Sequence, residues 1–254
     1  MTKISACVIS FNEEKKIEAC LKSLVPVADE IIIVDSLSTD RTLEFARDYT
    51  DKVFEQEFLG HIEQKNLAVS KASYDWILSL DCDERLSDEL QKDLLRVKEC
   101  IDLHDAYSMP RKTYYVYRWL NHCWYPDRKI RLFNRNTARW GGTNPHDRVE
   151  TDGNNIKRLP GDILHYSFDS ISDHLKTIDQ FTEIGADELI KKNKHVGVLT
   201  PLSHATWHLI KLYVIKRGFM DGFAGLVVSV LSYMHVFTKY AKARIKIKQA
   251  HNHR

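Results

Sequence analysis

The chain has 254 residues, with 37 Lys and Arg against 35 Asp and Glu and with 43% hydrophobic residues. This composition fits a globular protein of one or two domains and excludes a wholly disordered, collagen-like or low-complexity chain. Five widely spaced cysteines without a Cys-x-x-Cys pair favour reduced thiols in the cytosol, and the short apolar N-terminal run predicts no signal peptide. Neither zinc-finger spacing nor interleaved aromatic and basic residues occur, so we expect no nucleic acid partner.

Apolar strands and helices alternate along the first hundred residues. The patterns predict strands at 3–10, 30–34, 53–58 and 76–80, and helices at 13–24, 41–49, 62–72 and 87–101. Strands of continuous apolar character that alternate with helices are typical of parallel sheets covered on both faces. The sequence therefore predicts an α/β fold with a Rossmann-like, mostly parallel sheet flanked by helices.

After residue 106 the segments become shorter and richer in aromatic residues. Strands are predicted at 129–134 and 140–143, a helix capped by Ser170 follows, and two more helices are predicted at 201–217 and from about 220 into the tail. We divide the chain into a domain at 1–168, with halves at about 1–104 and 105–168, and a helical C-terminal extension at 169–254.

Polar clusters at 12–14, 35–40 and 81–84 each follow a predicted strand directly. Parallel sheets bind ligands at the carboxyl ends of their strands, which is where these clusters fall. The first glycine is Gly60, so a glycine-rich dinucleotide or phosphate loop after the first strand is excluded. Asp81 and Asp83 could share one Mg²⁺ or Mn²⁺ that bridges the phosphates of a nucleoside diphosphate, although Asp-x-Asp is also common in solvated turns.

Four ordered blocks, at 9–14, 34–42, 64–66 and 80–84, closely resemble those of the family 2 glycosyltransferases, which have the GT-A fold. Further blocks narrow the resemblance to the lipopolysaccharide inner-core glucosyltransferase group; they lie at 124–129, 141–142, 145–147, 163–167 and 216–222. The resemblance covers nearly the whole chain. It implies a GT-A domain followed by the helical extension.

The resemblance also implies where the donor binds. Asn12, Glu14 and Asp35 would contact the base and ribose of the nucleotide. Lys65 would lie near the base or the phosphates, and Asp81 would belong to the same nucleotide site. The metal, Mg²⁺ or Mn²⁺, would be held by Asp81, Asp83 and His165, although a strand histidine such as His165 can also serve only as a hydrogen-bonding residue.

The catalytic carboxylate of the family matches Asp147, where Asp replaces the commoner Glu and shortens the side chain by one methylene. The resemblance implies that this residue deprotonates the acceptor hydroxyl as it attacks the anomeric carbon. We expect acceptor contacts from Trp140, Gly142 and His146. Trp140 would offer a ring on which the apolar face of a sugar stacks, and core filling is the alternative for this tryptophan.

These expectations describe a metal-dependent inverting glycosyltransferase. The expected donor is UDP-glucose, which supplies glucose as the transferred hexose. The expected acceptor is a lipid-linked saccharide, such as an inner-core heptose. An inverting transfer requires one carboxylate, whereas a glycoside hydrolase requires a pair that flanks the bond. Acceptors of capsule or exopolysaccharide synthesis remain open, as does a non-catalytic, membrane-associated sugar-binding protein. A dehalogenase-like phosphatase is disfavoured, because Arg85 stands where that motif has Thr or Val.

The C-terminal region combines an uncharged, largely apolar stretch between Asp221 and Lys239 with a basic tail. The tail has no acidic residue and carries Lys239, Lys242, Arg244, Lys246, Lys248 and Arg254. Such a pattern suits peripheral binding of a cytoplasmic protein to the inner face of a membrane. Core packing and a dimer contact are the alternatives for the apolar stretch, and the sequence leaves the oligomeric state open.

Overall fold

The computed structural model describes residues 2–143 and 146–252, and the side chains of His146, His251 and Asn252 lie outside the described part. The chain forms two compact units. Unit 1 comprises Met1–Lys112 and Asp127–Tyr166, and unit 2 comprises Thr113–Pro126 and Ser167–Arg254. The segment Thr113–Pro126, which the sequence division placed in the first domain, therefore belongs with the C-terminal helices.

The first half of unit 1 is the predicted alternation of strands and helices. Its elements are β1 (Ile4–Ser10), α1 (Ile17–Leu24), β2 (Glu30–Asp35), α2 (Thr42–Arg47), β3 (Val53–Glu55), α3 (His61–Ser70) and β4 (Trp76–Asp81). The four strands are parallel, in the order β3-β2-β1-β4. In this register Ser10 pairs with Asp35 and Ile9 with Asp81, so both aspartates lie at one edge of the sheet.

Antiparallel strands extend this sheet. The elements that follow are β5 (Glu84–Leu86), α4 (Asp88–Val97), β6 (Ala106–Tyr115), β7 (Arg118–Trp119), β8 (Asp127–Asn134), β9 (Ala138–Thr143), β10 (His146–Thr151), β11 (Ile156–Arg158) and β12 (Ile163–Phe168). The strand order continues as β4-β8-β6-β12-β5, while β9 and β10 form a separate hairpin. The predicted α/β fold class with a helical C-terminal extension is confirmed.

Two apolar clusters cover the two faces of the sheet in unit 1. One contains Ile4 and Leu78 together with the buried faces of α1 and α4, and the other contains Ile32, Ile77 and the small residues of α3. Helix α1 begins four residues later than predicted. Residues 13–16 form a hydrogen-bonded turn instead, in which the Lys16 N–H donates to the Glu13 carbonyl at 2.9 Å, and Lys16, with a φ of −119°, is the N-cap of the helix.

Unit 2 contains β7, paired with the end of β6, and three helices: α5 (Ile171–Lys191), α6 (Thr200–Leu209) and α7 (Gly222–Asn252). Ser170 caps α5 as predicted, because its hydroxyl accepts a hydrogen bond from the Asp173 N–H at 3.1 Å. The single helix predicted at 201–217 is wrong in detail. Its second half, Ile210–Ile215, is a π-helical turn, and the chain then reverses at Arg217, whose φ is 56°.

An aromatic cluster in unit 2 buries a histidine. The His174 ring stacks on Phe168 with centroids 4.4 Å apart, and Tyr115 Oη lies 3.0 Å from His174 Nδ1. Burial, with a smaller contribution from the charge of His235, lowers the pKa of His174 to about 4. The protein therefore keeps this imidazole neutral over most of the pH range in which an unfolded histidine becomes charged.

We expect the stability of the protein to fall as the pH decreases from about 6.5 to about 4. In this window the unfolded chain binds more protons than the folded one, because the folded pKa of His174 is the lower of the two. The loss from this residue amounts to about 3 kcal/mol. Urea unfolding of His174→Gln should show a flatter pH dependence than the wild type, whereas exposed His195→Gln should leave it unchanged; equal profiles for all three proteins would contradict this account.

The basic residues of α7 contact acidic residues of α5. Lys242 Nζ lies 2.8 Å from Asp179 Oδ1 and 3.3 Å from Glu183 Oε2. Lys246 forms ion pairs with Glu183 and, at 2.6 Å, with Asp187. Exposed pairs of this kind contribute little to stability. Together, however, they neutralise charges of the tail that the sequence left available for lipid headgroups.

Candidate active site

A hydrogen-bonded loop occupies the carboxyl ends of β1 and β2. Asp35 is fully buried and accepts hydrogen bonds from the hydroxyls of Ser10 and Ser38, both at 2.7 Å, and from the Ser38 N–H at 2.7 Å. Asn12 Oδ1 accepts a hydrogen bond from the Thr39 N–H at 2.9 Å. The structure thus brings these two predicted nucleotide-binding residues to the same edge, where they hold the two strand ends together.

Glu14 joins the same loop from the turn before α1. Its backbone N–H donates to Asp40 Oδ2 at 3.1 Å, and its carboxylate Oε2 accepts from the Arg41 N–H at 3.2 Å. Both contacts cross from the first strand end to the second. The loop that would face a nucleotide is therefore fixed by its own side chains before any ligand arrives.

Lys65 connects two carboxylates that are distant from each other in the sequence. Its Nζ lies 2.8 Å from Asp81 Oδ1, at the end of β4, and 2.7 Å from Asp147 Oδ2, on β10. The lysine side chain is only 4% exposed, and its ammonium lies 4.3 Å from the centre of the Trp140 ring. A buried ammonium needs such partners to offset the loss of its hydration, and two carboxylates with one aromatic ring supply them.

Arg131 on β8 forms the second cationic centre. Its Nη2 lies 3.1 Å from Asp81 Oδ2 and 2.8 Å from Glu84 Oε1, and Glu84 is fully buried. Desolvation alone would raise the pKa of Asp81, but the charges of Lys65 and Arg131 hold it well below its usual range. Asp81 is therefore an anion at any physiological pH.

A cleft of about 530 Å³ opens beside this network in unit 1. Its cationic lining consists of Lys65, Arg111, Arg128, Lys129, Arg131 and Arg148, and its acidic lining of Asp81 and Asp147. Arg111 is oriented by Asp127, whose Oδ2 accepts from Nη2 at 2.7 Å. A cleft with this excess of cations attracts polyanions such as a diphosphate.

The β9–β10 hairpin places Asp147 in the cleft. Asp147 lies opposite Gly142, which has a positive φ of 99°. Asn66, next to Lys65 on α3, donates to the Trp140 carbonyl at 2.9 Å and accepts from the Trp140 N–H at 3.1 Å. These two bonds tie the hairpin to α3. They explain why Lys65 and Asp147, 82 positions apart in the sequence, come within 2.7 Å.

Two of the three predicted metal ligands lie together. His165 Nε2 is 3.2 Å from Asp83 Oδ2, because β12 pairs with β5 and sets His165 opposite Glu84. Both oxygens of Asp81, in contrast, contact Lys65 and Arg131. Within residues 2–143 and 146–252, no group of three His, Cys, Asp or Glu side chains is arranged to hold a metal ion. Carboxylate and imidazole are donor types that Mn²⁺ binds, and the metal site at Asp83 and His165 stays a prediction.

Known proteins place this site in a family. The sequence model for "Glycosyl transferase family 2" matches residues 5–151. The chain belongs to glycosyl transferase family 2. An uncharacterized glycosyltransferase of Rickettsia typhi is 31% identical over 96% of this chain and 87% of its own length. The lipopolysaccharide core biosynthesis glycosyltransferase LpsC of Rhizobium meliloti is 25% identical over 98% of each chain. The crystal structure of S. aureus TarS 1–349 covers 98% of this chain and 92% of its own at 15% identity, with a TM-score of 0.47.

The acceptor residues expected of this family 2 glycosyltransferase are only partly described. Trp140 lines the cleft and is 3% exposed, so its role as a platform for a sugar stays a prediction. The centre of its ring lies 4.3 Å from Lys65 Nζ and 5.2 Å from the guanidinium carbon of Arg131. Gly142 is exposed beside Asp147, and the side chain of His146 lies outside the described residues.

The sequence analysis of the family 2 chain missed Arg131, Arg111 and Glu84. A signal for Arg131 existed, because an arginine interrupts the apolar strand Ile130–Phe133 and a buried charge implies a buried partner. Glu84 directly follows the Asp-x-Asp pair and was grouped with the solvated cluster. Its complete burial arises only because β5 packs into the sheet through β12.

Proposed function

We propose that this protein is a metal-dependent inverting glycosyltransferase that transfers a hexose, glucose from UDP-glucose, to a lipid-linked saccharide, an inner-core heptose of lipopolysaccharide. The observation that carries the proposal is the Lys65 bridge between Asp81 and Asp147 at the edge of a cationic cleft. The ammonium group of Lys65 thereby connects Asp81, on the donor side of the site, to Asp147, the candidate base. The full-length similarity to LpsC supports lipopolysaccharide core synthesis as the setting.

In the proposed mechanism the cationic cleft receives the diphosphate of the donor. Arg131 and Lys65 hold Asp81 in place, and Arg111, Arg128 and Lys129 contribute positive charge along the cleft. Asp83 and His165 would hold the metal ion, which when bound stabilises the negative charge of the leaving diphosphate. The pre-arranged loop of Asn12, Glu14 and Asp35 would receive the nucleoside, with its strand ends already fixed.

Asp147 would accept the proton of the acceptor hydroxyl as that oxygen attacks the anomeric carbon. Its carboxylate is 15% exposed and borders the cleft, and it is oriented by Lys65 through Oδ2. A single base on the acceptor side gives direct displacement with inversion at the anomeric carbon. We place the reaction at the cytoplasmic face of the inner membrane, where nucleotide sugars and lipid-linked saccharides meet.

Calorimetric titration with UDP tests the donor site. We expect binding to require a divalent cation and to be stronger with Mn²⁺ than with Mg²⁺, because an imidazole ligand suits the softer ion. Asp83→Asn should weaken Mn²⁺-dependent UDP binding at least about tenfold. The matched control is Asp102→Asn, which removes an aspartate of unit 1 that bonds Trp76 away from the cleft.

A panel of nucleoside diphosphates makes the same experiment decisive for the function. UDP should bind more tightly than ADP, GDP and CDP. Failure of every nucleotide to bind, with either metal, would reject the transferase and favour the non-catalytic sugar-binding alternative. Binding that Asp83→Asn leaves unchanged would reject the metal site alone.

A further inference from the structure

One face of α7 in unit 2 carries a row of exposed apolar side chains. We call this row the apolar ridge; it consists of Phe223, Leu226, Val230, Met234 and Phe237, which are 40–68% exposed. At 100° per residue these positions fall within an arc of about 80° on the helix. The opposite face, with Ala224, Val228 and Leu231, is buried in the unit. The apolar ridge is therefore the outer face of a helix whose other face already forms a core.

The turn that precedes α7 continues this exposed apolar surface. Val214, Ile215, Phe219 and Met220 are 51–58% exposed. The turn packs closely, because a Cβ on Gly218 would lie 2.7 Å from the carbonyl oxygen of residue 212. Buried Asp221 anchors it further by accepting the backbone N–H groups of residues 121–123 at 2.8–3.0 Å. Single exposed apolar residues are common on protein surfaces, whereas a group of bulky ones on an anchored turn indicates a binding surface.

Exposed cations flank the apolar surface. From residue 189 onward the chain has twelve Lys and Arg but a single acidic residue, Asp221, which is buried. Lys242 and Lys246 are neutralised by α5. Lys211, Lys216 and Arg217 are exposed, and the described part of the chain places no carboxylate within ion-pair distance of them. Among the described residues, exposed positive charge without an ion pair therefore lies at this turn, in addition to Lys248 in the tail.

We propose that the apolar ridge and the Lys216–Arg217 turn bind the anionic lipid surface of a membrane, with α7 lying in the interface. Apolar side chains beside lysine and arginine match acyl chains beneath anionic headgroups. A second copy of this chain fits less well, because it would bring two basic surfaces together. The inference deepens the proposed function and rests on it for the lipid-linked nature of the acceptor.

The same contacts argue against a membrane-spanning helix. By length and composition alone, the segment Gly218–Ala250 could cross a membrane. The helix packs along α5, however, and the ion pairs of Lys242 and Lys246 bring Asp179, Glu183 and Asp187 with it. To cross a membrane, α7 would have to leave α5, and it would lose these ion pairs and the packing of its buried face. Only the exposed face and the turn are free to enter the lipid.

Vesicle flotation of the full chain tests the proposal. Wild type should bind vesicles of phosphatidylcholine that contain about one third phosphatidylglycerol, and high salt should weaken this binding. Phe219→Ser/Phe223→Ser should lower the bound-to-free ratio at least about tenfold. Lys216→Gln and Arg217→Gln should each lower the bound-to-free ratio about fivefold on anionic vesicles and leave the ratio on neutral vesicles unchanged. Exposed Leu103→Ser and tail Lys248→Gln are the matched controls and should bind like the wild type.

Three results would overturn the proposal: no vesicle binding by the wild type, unchanged binding by the double phenylalanine variant, or loss of binding only in Lys248→Gln. A dimer that the phenylalanine variant converts to a monomer, without vesicle binding, would instead assign the surface to a second copy. UDP titration of each variant separates the two proposals. A variant that loses vesicle binding but keeps its affinity for UDP would support this surface. A wild-type protein that floats with vesicles but binds no nucleotide would reject only the proposed function.

Discussion

Asp147→Asn is expected to lower the rate of hexose transfer at least about 100-fold while UDP binding stays unchanged. The amide keeps the shape of the side chain but cannot accept the proton of the acceptor hydroxyl. Lys65 retains Asp81 as a partner at 2.8 Å, so the substitution does not leave a buried ammonium without a carboxylate. The measurement is the release of UDP from UDP-glucose in the presence of lipopolysaccharide truncated before its inner-core hexose.

The control for this experiment lies on the same strand. Glu150 pairs with Arg148 at 2.8 Å and lies three positions from Asp147, so Glu150→Gln changes the charge of β10 without touching Lys65. It should reduce the rate less than about threefold. Full activity of Asp147→Asn would place the base elsewhere, and equal losses in the two variants would point to the charge of the hairpin instead of proton transfer.

Arg131→Met should lower the free energy of unfolding by about 3 kcal/mol, because breaking a buried pair leaves its partner charged and poorly solvated. Glu84 is fully buried, and its remaining cation, Arg111, lies 3.4 Å away. Asp81 also loses one of its two cations. Urea unfolding at neutral pH, followed by circular dichroism, measures the loss, and UDP titration should show weaker binding as well.

Two further variants separate the ion pair from the packing of Arg131. Arg148→Met removes a side chain that is 72% exposed, and should change stability by less than about 0.5 kcal/mol. Glu84→Gln in the Arg131→Met background should restore part of the loss, since it removes the uncompensated charge. A double variant as unstable as Arg131→Met would mean that the packing of the arginine on Trp140 provides the stability.

Hydrophobic patterns in the sequence were enough to predict the α/β architecture and most of the elements of the parallel half. Strands such as β1 and β4 are continuous apolar runs, and their ends are marked by polar residues, so periodicity alone locates them. The same ordered motifs predicted the family. Local hydrogen bonding was harder to anticipate: the turn at residues 13–16 is closed by a bond from the Lys16 N–H to the Glu13 carbonyl, which no periodicity reveals.

Which charged side chains contact each other depends on the packing of the folded chain. Lys65, Asp81 and Asp147 lie on α3, β4 and β10, and their contact depends on hydrogen bonds between Asn66 and Trp140 that join a helix to a distant hairpin. The same holds for the C-terminal tail, where helix packing pairs Lys242 and Lys246 with carboxylates about sixty positions away and leaves the turn at Lys216 and Arg217 exposed. Composition records how many charges a segment has, whereas Coulomb energy depends on distance and burial, which the packed chain alone defines.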